Sequence, residues 1–404
     1  MTSSVPGGRL DGSRCDLLVY LAATQYDGPA GTDRHVADEL SRLTPVLYVD
    51  PPVSVLTQLR NPEFAKSWKL PPLVTLRPGL ARLTPRVTPG MYRPGAHHLV
   101  PPLMRRAVRG AVDRLYGEPG TPVAALVSSR TENLLDAVPA RRTLFYATDD
   151  LVAGADLLGI PRGRLIAQEA ATLRRAQGVA VVSLPLQERY AAMGFSATVV
   201  PNGCAPEAYA GVETAPIPED AQMPGPVAGF IGYINDRIDL GLLEAVADTG
   251  CSLLIVGPVA AGYQSRRFAA LAGRPNVRHV GPKPFAELPG YLRVMDVGLI
   301  PYADTPFNRA SFPLKTLEYL AAGRDAVSVP LPANAWLGSE LVTEAAGGIA
   351  FAAATRQALS RVRTDLVAQR RRELAVRHSW ASRARVLAGL VALQPATATP
   401  GAAA

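Results

Sequence analysis

The stretch that decides the fold is residues 296–329, DVGLIPYADTPFNRASFPLKTLEYLAAGRDAVSV. An apolar run of strand length is followed by a polar loop, a run with helical spacing of leucines, a glycine and a second apolar run. Alternation of short apolar strands with helices is typical of a parallel sheet covered on both faces. The helix is predicted to begin near Pro313 or Leu314, because proline suits the first turn, and to end at Gly323.

Two charged residues, Lys315 and Glu318, interrupt this apolar segment. Lys315 falls in the first turn, where backbone N–H groups and the helix dipole favour an anion, and Glu318 follows about one turn along the same side. The apolar stripe of the helix consists of Leu314, Leu317, Leu320 and Ala321. The pattern fits either an ion pair on a packed helix or a helix end that holds an anionic ligand.

The same alternation extends along most of the chain. Strand-like runs are DLLVYLAA, TPVLYVD, PVAALVSS, RTLFYATDD and GVAVVS in the first half, and VAGFIGY, CSLLIVGP, VRHVGP, DVGLIPY and DAVSVPL in the second. Residues 201–226 break the pattern with prolines and glycines and are the best candidate for a linker. A length of 404 residues suits two such domains. Residues 51–102 give no clear pattern.

Composition narrows the class of protein. With 48% hydrophobic and 19% charged residues, the chain is not disordered overall. Three widely spaced cysteines argue against a disulfide framework or a zinc site, and no signal peptide or membrane span is apparent, so a cytoplasmic protein is expected. The net charge of +8 suits phosphates, an anionic membrane or nucleic acid, but no stacking aromatics accompany the basic residues, and no nucleic-acid partner is expected.

A second strand–loop–helix unit, FIGYINDRIDLGLLEAV, spans residues 230–246. The strand ends at Gly232, and Asp239 is a plausible N-cap for the helix. Arg237 then lies in a loop at the carboxyl end of a strand, where ligands of such sheets bind and where a guanidinium suits phosphate. The alternative is a surface ion pair of Arg237 with Asp236 or Asp239.

The order of these motifs in the second half resembles the nucleotide-sugar domain of the GT-B glycosyltransferases, especially the large GT4-like group that makes bacterial surface polysaccharides. The likeness is carried by VPNGCAPEAY, FIGYINDRID, LLIVGP, NVRHVGPKPFAELPGYLRVMDVGLIPY, PLKTLEYLAAGRDAVSV and HSWASRARVL, and covers roughly residues 180–390. It implies an α/β chain with two Rossmann-like doubly wound domains facing a central cleft. The expected parts are an acceptor-side domain (1–205), a nucleotide-sugar domain (206–376), a helix crossing back (377–393) and a disordered tail (394–404).

The resemblance also assigns roles. It implies that Glu318 accepts hydrogen bonds from the nucleotide ribose, that Lys315 and Arg237, with Gly232, bind the donor diphosphate, and that neither a metal nor another cofactor is needed. The GT4 pattern has a further glutamate eight positions before Glu318, but that position is Ala310. Retention or inversion of the sugar configuration therefore stays open.

The first half offers candidates for the acceptor side. The loop YDGPAGTDRH contains Gly28, Gly31 and Thr32 and would lie near the donor phosphates and the acceptor; Thr32 or Asp33 could cap the following helix. His35 on that helix is either catalytic or structural. A further strand ends in two carboxylates, Asp149 and Asp150, of which either is a general base for an acceptor hydroxyl or a helix cap.

The expected function is transfer of a sugar from a nucleotide-diphosphate sugar, with a UDP-sugar as the expected donor, to a hydroxyl of a glycan or lipid-linked acceptor. A soluble natural-product acceptor, a non-catalytic homologue that binds nucleotide sugar, and an epimerase on the same fold are the alternatives. The helix pattern in PPLMRRAVRGAVDRLYG has an apolar face and a basic face with Arg105, Arg106, Arg109 and Arg114. That face is either solvated or in peripheral contact with the inner face of the membrane.

Overall fold

The computed structural model describes residues 5–6, 10, 12–28, 30–54, 71–87, 97–117, 119–338 and 340–393. They form two compact units, each built on one sheet. The first comprises the described residues up to Val182, Leu186–Pro201 and those from Trp380 onward. The second comprises Ser183–Pro185 and Asn202–Ser379. This division does not test the domain bounds that the resemblance implies, and those bounds remain a prediction.

The sheet of the first unit has strands β1 to β9: Val5–Pro6, Leu18–Leu21, Val46–Val49, Leu73–Arg77, Leu80–Leu83, Val123–Ser128, Ala140–Ala147, Gly178–Val181 and Thr198–Val199. Their order is β1-β4-β5-β3-β2-β6-β7-β8-β9. Along the sheet, every pair of neighbouring strands in the series β5-β3-β2-β6-β7-β8-β9 is parallel, as predicted. Helices α1 to α5 are Thr32–Leu40, Val100–Tyr116, Ala155–Leu158, Arg162–Arg175 and Leu184–Ala192.

One edge of this sheet is antiparallel, which the prediction of a parallel sheet missed. Strand β4 pairs antiparallel with both β1 and β5. The two residues between β4 and β5 are Pro78 and Gly79, and Gly79 has a φ of +77°. Proline followed by a glycine at positive φ is the sequence of a tight turn, so this short turn reverses the chain within the proline-rich part that gave no clear pattern.

The second unit has six parallel strands, β10 to β15: Val227–Ile231, Ser252–Val256, Val277–His279, Val297–Ile300, Asp325–Ser328 and Val342–Glu344. Helices α6 to α13 are Leu240–Asp248, Ser265–Ala272, Leu288–Val294, Pro306–Arg309, Leu314–Ala321, Pro332–Leu337, Gly348–Leu359 and Asp365–Arg377. Every strand predicted for this half is present.

The strand order of this sheet, β12-β11-β10-β13-β14-β15, reverses between β10 and β13. The chain leaves β10 toward β11 on one side and returns to β13 on the other. The two strands pair only through Ala228 with Val297 and Gly229 with Gly298, and then separate. In open parallel sheets such a reversal makes a crevice at the carboxyl ends of the strands, which is where ligands bind.

Residues 201–226, the predicted linker, begin at the boundary of the two units between Pro201 and Asn202 and belong to the second unit from Asn202 onward. They contain three 3-10 turns whose Tyr209, Val212 and Ala221 are buried in the second unit. The prolines interrupt regular structure but let the segment pack on a surface.

The last helix, α14 (Trp380–Leu390), belongs to the first unit and packs against α1. The tail predicted at 394–404 lies outside the described residues. Within the described part of the chain, no helix is long and apolar enough to cross a membrane. Cys15, Cys204 and Cys251, all described, form no disulfide.

Candidate functional site

Helix α10 lies directly over the strand reversal of the second unit. The hydroxyl of the buried Tyr319 accepts a hydrogen bond from the amide of Ile231 (3.0 Å) and donates to the carbonyl of Leu299 (3.4 Å). A Cβ at Gly298 would lie 2.2 Å from the Tyr319 ring, so only glycine allows the ring to pack this closely on β13. Because β10 and β13 have already separated at Ile231, Tyr319 replaces the acceptor that the sheet no longer provides.

The ends of α10 agree with the predicted bounds. Its first residue is Leu314, and its N-cap, Pro313, provides no side-chain hydrogen bond to the first turn. Gly323 follows the helix at a φ of +73° and donates its amide to Leu320. In the first turn the hydroxyl of Thr316 is buried and has no hydrogen-bond partner among the described residues. The first-turn amides therefore lack the side-chain cap that usually satisfies them.

Lys315 and Glu318 form an ion pair on this helix. Lys315 Nζ lies 2.6 Å from Glu318 Oε2, and the two side chains are 24% and 17% exposed. The buried phenol of Tyr209 is close by: burial raises the pKa of Tyr209 well above its ordinary value, and the charge of Glu318 raises it further. The ion pair, one of the two interpretations of this pattern, is thus present, while the roles of Lys315 and Glu318 in binding a ligand stay predictions.

Arg237 is held in the loop after β10 by a neutral partner. Its Nε donates to Asn308 Oδ1 at 2.9 Å, and its guanidinium carbon lies 5.1 Å and 4.9 Å from the ring centroids of Tyr302 and Phe307. Among the described residues neither terminal nitrogen of Arg237 has an acceptor, and the alternative ion pair with Asp236 or Asp239 is not formed. The guanidinium keeps its charge and two terminal donors for another group.

Asp239 instead caps α6, as predicted, by accepting the amide of Gly241 at 2.8 Å. This bond is local and exposed. It leaves the orientation of the preceding loop to other contacts, chiefly those of Asn308.

Asn308 is the residue of this site that sequence reasoning missed. It is buried, accepts from Arg237 Nε, and donates its amide to the carbonyls of Arg237 and Ala303, both at 2.9 Å. One side chain thereby joins the loop after β10 to the loop after β13. The signal was the pair Thr305–Pro306, a helix-start sequence: Thr305 accepts the amide of Asn308 at 3.1 Å and caps the short helix α9.

Gly232 lies at the end of β10, where two loops pack backbone to backbone. Its amide donates to Val256 at 2.9 Å, and a Cβ on Gly257, whose φ is +140°, would lie 1.9 Å from the carbonyl oxygen of Gly232. Gly257 is therefore required by packing within the protein. The role of Gly232 in binding a diphosphate stays a prediction.

In the first unit, Asp149 and Asp150 follow β7 as predicted, but they differ in environment. Asp150 is buried, accepts the amide of Ala153 at 2.9 Å, and lies 3.4 Å from Nε of Arg189. This is the capping role that was one of its two interpretations. Asp149 is half-buried, and its charge contributes to the raised pKa of Tyr146, which is due mainly to burial.

The glycine-containing loop after β2 is held by two buried carboxylates. Asp33 accepts from the amides of Ala23 and Thr24 (2.8 and 3.1 Å) and from the hydroxyl of Tyr20 (3.0 Å). The predicted cap of α1 by Thr32 or Asp33 is wrong, because the N-cap is Gly31 and Asp33 faces back to the loop. Gly28 closes a turn by donating to Gln25.

The second carboxylate is Asp50, which accepts from the amide of Tyr26 (2.8 Å) and the hydroxyl of Thr84 (2.5 Å). Burial raises the pKa of Asp50 to about 6. The buried Arg82 lies 3.6 Å from it and 2.5 Å from Asp27.

His35 on α1 stacks on the buried Trp380 of α14, with ring centroids 5.0 Å apart and planes 9° apart. This stacking is a packing contact, as expected if His35 has a structural role. A catalytic role for His35 stays a prediction.

A cavity of about 760 Å³ opens beside these loops in the first unit. It is lined by residues that follow β2, β3, β6 and β7, and therefore lies at the carboxyl edge of the sheet. Its charged lining residues are Arg130, Glu132 and Arg164, of which Arg130 and Glu132 form an ion pair at 2.5 Å. Leu151, Ile160 and Leu165 are among its apolar ones. No prediction from the sequence pointed to this cavity, because its residues come from four separate segments.

Comparison with solved structures gives the class of protein: the chain has the GT-B fold of glycosyltransferases. Sucrose-phosphate synthase from Thermosynechococcus elongatus matches with a TM-score of 0.69 at 16% identity, over 93% of this chain and 98% of that one. Anabaena HepE in complex with UDP and glucose matches with a TM-score of 0.64 at 14% identity, over 94% and 100%. A UDP-forming trehalose-phosphate synthase from Burkholderia xenovorans also has a TM-score of 0.64, at 14% identity over 96% and 100%.

Among curated proteins, the chain is similar to a protein named as the teichuronic acid biosynthesis glycosyltransferase TuaH of Bacillus subtilis (strain 168), with 32% identity over 161 residues. The match covers 39% of this chain, and the chain spans about 40% of that relative's length. No protein-family model matches. The resemblance to GT-B glycosyltransferases, including those of bacterial surface polysaccharides, is confirmed.

Proposed function

We propose that this chain is a glycosyltransferase that moves a sugar from a UDP-sugar to a hydroxyl of a glycan or lipid-linked acceptor. The observation that carries the proposal is the group of Arg237, Lys315 and Glu318 around the strand reversal of the second unit. Solved structures of the same fold are described with UDP and glucose and as UDP-forming, which supports UDP as the nucleotide.

The cations of this group suit a diphosphate. Arg237 has two terminal donors left over from its bond to Asn308, and Lys315 lies in a first turn without a side-chain cap. Positive charge at this position stabilises a nucleoside diphosphate as its bond to the sugar breaks. Lys315 must exchange Glu318 for phosphate, and Glu318 then accepts from the ribose hydroxyls, which need an acceptor-only group.

The acceptor side of the proposal rests on the first unit. The 760 Å³ cavity at the carboxyl edge of its sheet is of ligand size and combines apolar walls with a few polar groups. Asp149 and Asp150, which follow β7 at this edge, are the candidate general bases, and Asp150 also accepts an amide hydrogen bond and lies beside Arg189.

Metal-independent chemistry is part of the proposal, because Lys315 and Arg237 supply the charge that a cation would otherwise bring. Among the described residues, no group of three or more His, Cys, Asp or Glu side chains is placed to hold a metal ion. Equal turnover with EDTA and with added Mg²⁺ is the expected result, and a requirement for a divalent ion would contradict this part.

The test is a panel of nucleotides and nucleotide sugars, scored by thermal shift and by release of nucleoside diphosphate. We expect UDP and a UDP-sugar to raise the melting temperature, and slow hydrolysis of one UDP-sugar that an acceptor accelerates. Failure of every nucleoside diphosphate and nucleotide sugar to bind would overturn the donor site.

A non-catalytic homologue that binds nucleotide sugar is the second candidate, favoured by Ala310. This residue, where the GT4 pattern has a glutamate, is buried after α9 and brings no carboxylate. Binding of a UDP-sugar without hydrolysis or transfer to any acceptor would support this candidate against the enzyme.

A further inference from the structure

Arg164, near the start of α4, is a charged lining residue of the cavity of about 760 Å³ in the first unit. Its Nε is buried, and its side chain has no hydrogen-bond or ion-pair partner within the part of the chain that the structure describes. A buried donor without an acceptor is costly, because it has lost water and gained no replacement. A ligand in this cavity could supply the missing acceptor.

The other two charged residues of the lining neutralise each other. Both carboxylate oxygens of Glu132 accept from Arg130, at 3.1 Å from Nε and 2.5 Å from Nη2. Arg130 is also 6% exposed, so little of its guanidinium is open to a ligand. Two arginines and one glutamate line the cavity, which gives a net charge of +1, and Arg164 is the residue that carries it.

A neutral donor lies beside Arg164 on the same helix. Gln168, four residues later, also lines the cavity, and positions four apart share one face of a helix. Within the described residues, its side-chain amide has no hydrogen-bond partner either. A guanidinium next to an amide offers donors for a carboxylate together with a donor and an acceptor for a sugar hydroxyl.

The rest of the lining is mainly apolar. It includes Pro51, Leu151, Leu158, Ile160, Pro161 and Leu165. Apolar walls lower the local dielectric constant, so an ion pair formed with Arg164 is stronger there than in open water. They also suit the C–H faces of a sugar ring. The cavity therefore fits a molecule that is largely uncharged but bears one anionic group.

The net charge of the cavity distinguishes between two common anionic groups. A carboxylate carries one negative charge, which Arg164 can balance. A phosphate monoester carries a charge of about −1.5 to −2 near neutral pH. It would leave part of its charge unbalanced among apolar walls, which is unfavourable. The lining thus favours a carboxylate over a phosphate.

We propose that the acceptor is a sugar with a carboxylate, as in a uronic acid, and that Arg164 binds this carboxylate in the cavity of the first unit. The inference rests on the proposed function, because it names the acceptor class of the same transfer reaction. Arg164 determines specificity, since its fork of N–H donors can bind both oxygens of a carboxylate, whereas a hydroxymethyl group offers a single uncharged oxygen.

The test is calorimetric titration of the full chain, without UDP-sugar, with two pairs of probes. These are the p-nitrophenyl β-glucuronide and β-glucoside, and the corresponding galacturonide and galactoside. Within a pair, only the carboxylate and the hydroxymethyl group differ. We expect at least one uronide to bind about 30-fold more tightly than its uncharged partner, the range for a hydrogen bond to a charged group. No preference in either pair, or no binding of any probe, overturns the proposal.

Substitutions at Arg164 test its role against a matched control. Arg164→Gln should reduce the preference to less than about threefold, and Arg164→Lys, which keeps the charge but not the fork, to about fivefold. The control is Arg162→Gln, which removes the same charge from an exposed position of α4 outside the lining and should keep the full preference. Equal loss in both glutamine variants overturns the proposal. If Arg164→Gln does not fold, Arg164→Lys decides, and a preference equal to that of wild type overturns the contact.

Two further results separate this inference from the proposed function. Tighter binding of glucose phosphorylated at its primary hydroxyl than of glucuronic acid overturns the choice of a carboxylate. Transfer from a UDP-sugar with equal kcat/KM to charged and uncharged acceptors overturns this inference and leaves the proposed function intact. Binding of a uronide that depends on Arg164, without transfer from any UDP-sugar, supports the carboxylate site and contradicts the proposed reaction.

Discussion

The carboxyl edges of the two sheets use charge in opposite ways. In the first unit the buried carboxylates Asp33, Asp50 and Asp150 all accept hydrogen bonds from loop amides, so their charge is used to hold the loops in place. In the second unit Arg237 is held by the neutral amide of Asn308 and keeps its charge. A buried carboxylate that already accepts amide hydrogen bonds has few free acceptor positions for a substrate. A cation held by a neutral group keeps its charge and can still bind an anion.

Substitution of Asp149 tests whether a carboxylate of the first unit takes part in the transfer reaction. Asp149→Asn should lower kcat by roughly 10²–10⁴, the usual contribution of a general base, without changing UDP affinity. Asp150→Asn, its neighbour, should chiefly lower the melting temperature, because Asp150 caps a turn and lies beside Arg189. Steady-state kinetics with acceptor, together with thermal denaturation, separates the two. Normal turnover by both variants would leave the first unit without a catalytic carboxylate among the predicted ones.

Substitution of Lys315 tests whether the cations at the carboxyl edge of the second sheet bind phosphate. Lys315→Ala should lower kcat/KM for the UDP-sugar by roughly 10²–10³, the range seen when one preorganised electrostatic group is removed. Lys283→Ala is the matched control: Lys283 is also paired with a carboxylate, Asp220, at 2.5 Å, but outside the proposed site. Similar losses in both variants would mean that the effect comes from broken ion pairs and not from phosphate binding.

Much of the second unit could be predicted because its signals are local. The bounds of α10 follow from Pro313 and Gly323, and the cap of α6 from Asp239. The apolar runs predicted five of the six strands of this sheet, and only the edge strand Val342–Glu344 was missed. These features depend on residues adjacent in sequence, where turn chemistry and periodicity operate.

The contacts that hold the site could not be predicted, because they join distant segments. Asn308 bonds to Arg237 across 71 positions, and Tyr319 bonds to Ile231 across 88. A polar residue in a loop pattern gives no sign of which carbonyl it will reach. The partners of Asp33 and Asp50 were missed for the same reason, although the helix that carries Asp33 and the strand that ends just before Asp50 were predicted.

Asn308 offers the next largest effect, on stability and binding together. Asn308→Ala removes three hydrogen bonds, with Arg237 Nε and with the carbonyls of Arg237 and Ala303, and should lower the free energy of unfolding by about 2–3 kcal/mol. UDP should also bind more weakly, because Arg237 loses its orienting partner. Asn276→Ala is the control, since Asn276 donates to the carbonyls of Ala247 and Cys251, both at 2.8 Å, elsewhere in the unit. It should lower stability and leave UDP affinity unchanged, as measured by urea denaturation and calorimetry.

Asp50 gives a pH test of the carboxylates in the first unit. Burial raises the pKa of Asp50 to about 6, above the ordinary value, so the folded chain holds this proton when the unfolded chain has lost it. Its contribution to stability is therefore full below about pH 4 and falls as the pH rises through 6, by about 3 kcal/mol in all. The groups facing it are Arg82, Asp27 and Tyr48.

Asp50→Asn keeps an acceptor for the amide of Tyr26 and removes the titration. Between pH 5 and pH 8 the titration of Asp50 should cost the wild type about 1.4 kcal/mol of stability, and urea denaturation should show that this loss is absent in the variant. An unchanged difference between the two pH values would show that Asp50 is already ionised at pH 5 in the folded chain.

Substitution of Glu318 has the smallest expected effect, but it discriminates best, because the expected change in affinity differs between UDP and pyrophosphate. Glu318→Gln breaks the ion pair with Lys315, which is partly exposed and worth less than about 1 kcal/mol, so stability should hardly change. UDP should bind about tenfold more weakly, because an amide replaces a carboxylate as acceptor for the ribose hydroxyls. Pyrophosphate, which has no ribose, should bind as well as before or more tightly, since Lys315 no longer has to leave Glu318. Calorimetric titration of both ligands checks this, and weaker binding of both would place Glu318 among the residues that hold the helix and not among those that contact the ribose.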